Sequence, residues 1–172
     1  MEENKEMEMT AKTGLQAKGE LQVSSAVANK LQEIQGAMVL AKQFPRDYNS
    51  VWEKLMLACR RKALAEKATY SYPRGGTRIT GPSVNIARVA AQCYGNIRFG
   101  FDIERDDEES MTIRGWAWDI ETNNKVEYPA RFKKLIFRKG KGWIKPDERD
   151  LRELIFREAA KLIRNSIFGV VP

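Results

Sequence analysis

The sequence predicts an α+β domain in which an antiparallel β-meander and a Gly-rich β-hairpin pack against a long C-terminal helix, with further helices towards the N-terminus. Three observations predict it. Apolar residues recur at three and four positions over 27–41 and again over 151–163, the period falls to two between Asn96 and Phe132, and Gly-bearing or Asn-bearing turns punctuate the alternating stretches. A length of 172 residues suits one core domain with an appended arm.

Residues 1–23, "MEENKEMEMTAKTGLQAKGELQV", hold no aromatic and few large apolar side chains, so they read as a flexible arm, and 24–172 as the core domain. Val27, Leu31, Ile34, Met38 and Ala41 then mark an amphipathic helix that ends before "FPRD". A second helix is expected from Ser50, whose pairing with Glu53 fits a capping box, through "KALAE", with Trp52, Leu55, Met56 and Cys59 as its apolar side. Cys59 and Cys93 both fall in helical patterns and read as small buried hydrophobes.

The stretch "YSYPRGGTRITGPS" invites a phosphate-loop reading, which fails because a Walker loop closes on Gly-Lys-Ser/Thr and this one has neither the Lys nor the spacing. Tyr70 and Tyr72 alternate with Ser71, and "PRGG" supplies a proline-fixed φ followed by glycines that accept positive φ, so a hairpin is predicted. Gly81 is expected as the N-cap of the next helix and Pro82 in its first turn, with Ala87, Ala90, Ala91 and Tyr94 on the buried side and Gly95 at the end. Three strands follow: "NIRFGFDIERD", "ESMTIRGWAWDIET" and "KVEYPARFKKLIF". Pro129 cannot donate to a ladder, which assigns the third strand to an edge or a bulge. Gly140 and Gly142 suggest another hairpin, and Asp147 caps a final helix whose apolar face runs Leu151, Leu154, Ile155, Ala159, Leu162 and Ile163.

The net charge is +7, which favours a polyanionic partner such as nucleic acid, although an anionic membrane surface would satisfy the same charge. No apolar run approaches the roughly 20 residues of a membrane span, and the N-terminus is acidic and polar where a signal peptide is basic then apolar, so a cytoplasmic protein without membrane contact is expected. The chain contains no histidine, which removes His-based triads, Cys–His dyads and the common zinc sites.

Candidate nucleic-acid ligands concentrate in the hairpin (Arg74, Arg78), in the basic run Arg131, Lys133, Lys134, Arg138, Lys139, Lys141 with Trp143 inside it, and in the stripe Arg157, Lys161, Arg164 on the last helix. Cations that track a backbone and flat side chains that meet bases are what single-strand binding requires. The alternative for the aromatics is a place in the core, and for the cations a solvated face. The pairs Asp102/Glu104 and Asp119/Glu121 each lie on one side of a strand and could ligate magnesium for a nuclease, yet neither leads into the Glu-x-Lys pattern many such enzymes use.

"GGTRITGPSVNIARVAAQCYGNIRFGF", the two strands after it and "REAAKLIRNSIFG" together resemble the single-strand DNA annealing proteins of the phage RecT/Red-beta superfamily, whose core is shared by eukaryotic recombination mediators. The resemblance spans about Tyr70 to Gly169 and rests on the order of elements. It implies ATP-independent binding of single-stranded DNA without a cofactor, and annealing of complementary strands during phage recombination by a homo-oligomeric ring or helical filament. DNA would lie in a positive groove between meander and long helix, its backbone held and its bases open for pairing. The family's helix cations would fall on Lys161 and Arg164, and its hairpin cations on Arg74 or Arg78. The chain stops at "GVVP", without the tail many relatives use to recruit partners, which leaves open a phage exonuclease or a single-strand-binding protein as partner. Two other readings stay open from the residues: a metal-dependent nuclease, and an assembly protein that works through its N-terminal helix and arm.

Overall fold

The computed structural model describes residues 24–171, so the arm expected over 1–23 lies outside the described residues. The chain divides between Phe44 and Pro45 into two units. In the first, helix α1 covers 24–43, and its final turn closes with the Phe44 amide donating to the Leu40 carbonyl at 2.9 Å. Val27, Leu31, Val39 and Leu40 on α1 are exposed.

In the second unit, α2 (Tyr48–Cys59) starts earlier than the Ser50–Glu53 pattern predicts. Asp47 is the N-cap, its carboxylate accepting from the Asn49 amide at 3.1 Å, which leaves Ser50 inside the first turn. The helix breaks after Cys59, and "KALA" forms a separate turn, α3 (Lys62–Ala65). Val51 and Leu55 pack on the core, whereas Trp52 and Met56 face outward and Cys59 is exposed. The buried role expected of Cys59 is therefore wrong, and Cys93 is only partly covered.

Strands β1 (Thr69–Arg74) and β2 (Thr77–Pro82) form the predicted hairpin around Gly75 and Gly76, both at positive φ. Gly81 and Pro82 belong to β2, not to the next helix, because the ladder continues to the pairs Tyr70–Gly81 and Thr69–Pro82. Ser83 is the cap of α4 (Val84–Tyr94): its hydroxyl accepts from the Asn85 amide at 3.2 Å and donates to the Lys67 carbonyl. Gly95, at φ +75°, ends α4.

The meander follows in the predicted order, with β3 (Ile97–Asp106), β4 (Ser110–Asp119) and β5 (Asn124–Lys133) all antiparallel, but the third strand ends at Lys133, and Ile136 and Phe137, expected at its end, belong to the next hairpin. A register shift at Ile103/Arg105 leaves Glu104 as a bulge residue, and β5 pairs only with β4, so Pro129 sits on an edge strand. The small hairpin of β6 (Ile136–Arg138) and β7 (Gly142–Ile144) precedes α5 (Glu148–Val170), capped by Asp147 as expected, with the Asp150 amide 2.8 Å from its carboxylate.

Helix α5 lies across one face of the sheet. Period-two alternation puts Met111, Ile113, Gly115 and Ala117 of β4 under it, buried, and leaves Arg114, Trp116 and Trp118 on the other face. Ala159, Leu162, Ile163, Ile167 and Val170 of α5 fill the near side, joined by Ala87, Ala90 and Ala91 of α4. No helix among the described residues is long and apolar enough to cross a membrane.

Candidate nucleic-acid interface

One groove runs between hairpin β1–β2 and α5. Residues 70, 72 and 74 share a hairpin face by the two-residue period, and across the ladder they meet Gly81, Ile79 and Thr77. Tyr70 and Tyr72 stack with ring centroids 5.9 Å apart and planes 21° from parallel. Gly81 permits this, since a Cβ there would come within 2.7 Å of the Tyr70 hydroxyl. From α5, the Arg164 guanidinium lies over the Tyr70 ring at 4.8 Å, steadied by Nε and Nη2 donating to Asn165 Oδ1 at 3.1 and 2.9 Å. Arg157, Lys161, Val84 and Ala160 complete the walls of a space of about 340 Å³.

Arg157 also lines a second depression, with Phe132, Lys133 and Trp143, on the side of α5 nearer the β6–β7 hairpin. The two depressions share Arg157 as a common rim residue. At 1.5 Å of rise per residue, Arg157 to Arg164 spans about 10 Å along the helix. Glu158 sits among these cations, 3.5 Å from Arg157 Nε and 2.8 Å from Lys161 Nζ. Trp143 is 68% exposed and meets Phe137, 62% exposed, edge to face at 5.7 Å. Neither aromatic is in the core.

The structure thus brings Arg157, Lys161 and Arg164 to one depression and Arg157, Lys133 and Trp143 to the other, and sets Arg74 on the same hairpin face as the tyrosines. Arg78 pairs with Pro73 and points from the opposite face of the hairpin. Much of the basic run is answered by acids that are distant in sequence. Arg131 donates to Ser110 Oγ at 3.0 Å and lies 4.0 Å from Asp107, Lys134 pairs with Asp106, and Arg138 Nη2 holds Asp150 at 2.6 Å. Its hydrogen bond to Asp150 raises the Arg138 pKa above the usual arginine value, while hydrogen bonding from Arg105 lowers that of Asp107. Lys133, Lys139 and Lys141 make no ion pair with a described residue. The absence of acids between Glu127 and Asp147 along the chain is therefore not an absence of acids in space.

Three of the four carboxylates in the two pairs have other work. Glu104 pairs with Arg114. Arg46, just after Pro45, has a side chain 2% exposed and drives its Nη1 and Nη2 onto Asp119 at 2.8 and 2.5 Å and its Nε onto Glu121 at 3.1 Å, with the Tyr94 ring 4.0 Å beneath. Burial opposes charge on Asp119, but the hydrogen bonds from Arg46 and Thr122 outweigh it and hold the carboxyl below the usual range. Among the described residues no group of three or more His, Cys, Asp or Glu is placed to hold a metal ion.

Sequence reasoning took Tyr70 and Tyr72 as strand residues only. Their spacing of two, opposite a glycine, was the available signal. Comparison with protein-family models, curated proteins and solved structures gives no match for this chain.

Proposed function

We propose that this protein binds single-stranded DNA and promotes annealing of complementary strands without ATP or a cofactor, in phage-type recombination. The observation that carries the reading is the groove in which Arg157, Lys161 and Arg164 of α5 line the same space as the stacked Tyr70 and Tyr72. Annealing requires two repelling backbones to be neutralised while base edges are reached, so it needs a track of cations and flat rings rather than a reactive group. No bond is made or broken in this reading. The order of elements from the Gly-rich hairpin through the meander to the basic helix supports it, by the likeness to the RecT/Red-beta proteins.

On that likeness the working form is a homo-oligomeric ring or filament in the cytoplasm of a bacterial host, handling single strands and the annealed duplex, with a phage exonuclease or single-strand-binding protein as possible partner. The test is the annealing of two complementary labelled oligonucleotides in EDTA without ATP, at low and then raised salt. Acceleration that fades with salt is the expected result; no acceleration by folded protein refutes the reading.

A further inference from the structure

We propose that the groove between hairpin β1–β2 and α5 takes up a single unpaired nucleobase, with Tyr72 as the stacking platform and the α5 cations holding the flanking phosphates. This rests on the nucleic-acid reading above and specifies what enters the groove.

Three flat groups lie in sequence: the Arg164 guanidinium 4.8 Å over Tyr70, and Tyr70 stacked on Tyr72 at 5.9 Å, within the range of offset aromatic pairs. Tyr72, at one end of this stack, is 45% exposed, which leaves room for a further flat group against it. The walls have two characters. Val84 and Ala160 offer apolar surface beside the rings, and Arg157 and Lys161 bring the positive charge. A groove that held only phosphates would gain nothing from apolar walls, because an anion loses hydration against them. A nucleotide has both characters, an apolar-faced base and an anionic link, and fits both walls at once.

This geometry selects against duplex, whose bases are already stacked and paired; only a strand with a base free to leave its stack can use the Tyr72 face. A base on Tyr72 is held by its face and so leaves the stack of its neighbours while it is bound.

The test compares full-length protein binding to oligothymidine and to an equally long strand of abasic sites at one salt concentration. The expected result is about tenfold weaker binding of the abasic strand. Tyr72→Ala should lower oligothymidine affinity by about tenfold and leave the abasic affinity unchanged, while Tyr72→Phe keeps wild-type affinity for both. Equal binding of the two strands by the wild type, or equal weakening of both by Tyr72→Ala, overturns the base site while leaving nucleic-acid binding standing. Binding of neither strand overturns the functional reading and this one with it.

Discussion

Glu158 sets the charge that α5 presents, since its carboxylate is shared between Arg157 and Lys161 and a bound phosphate must compete with it. Glu158→Gln should therefore tighten single-strand binding by about two- to fivefold, read by fluorescence anisotropy at low salt, and the gain should fade as salt screens the charges. Arg46 has the opposite situation, buried and fully engaged. Arg46→Ala strands Asp119 without its partner and should cost about 3–5 kcal/mol in urea unfolding. Because the folded-state pKa of Asp119 is depressed, its contribution is complete above the unfolded value of roughly 3.9 and is lost as pH falls through the folded one. Asp119→Asn should remove that part of the acid sensitivity. The sequence displayed every one of these charged groups but none of the pairings: Arg46 and Asp119 stand 73 positions apart. A period of two can say which side of a strand a carboxylate occupies, not that a loop arginine will reach it.

Among the elements, the meeting of α5 with β4 depends on one missing side chain. A Cβ on Gly115 would lie 2.4 Å from Leu162 Cβ and 2.8 Å from the Leu162 carbonyl carbon, and backbone cannot move aside as a flexible side chain does. Gly115→Ala should destabilise the fold by about 1–3 kcal/mol, seen as a lower thermal midpoint with the same far-ultraviolet spectrum. The meander, both hairpins and the long helix were legible because each long segment has one face buried, which imprints its period on the sequence. Errors fell where two faces or two caps competed. On α2 the periodic stripe held Trp52, Leu55, Met56 and Cys59, yet of these the core accepts only Leu55, together with Val51. At the end of the hairpin's second strand, Gly81 and Pro82 suit a helix start by type, but the ladder keeps them and Ser83 caps instead.

Over the whole molecule, the surplus of seven positive charges is less informative than its distribution. Acids at the end of β3 and in the β3–β4 loop answer Arg131, Lys134 and Lys145, while the unanswered Lys133 borders the same depression as Arg157. If a strand follows both depressions, Lys133→Ala and Lys161→Ala together should flatten the dependence of log affinity on log salt by about 1.4, each lost phosphate contact giving about 0.7. A change of half that size would confine the strand to one depression. The four tryptophans are also dispersed in a useful way. Trp52 lies outward on α2, Trp116 and Trp118 lie on the sheet face away from α5, and of the four only Trp143 borders the second depression. The protein thus carries a built-in optical probe: a strand that follows both depressions should quench emission from Trp143 and spare the other three, so Trp143→Phe should silence the signal and leave the titration of a labelled strand to report binding on its own.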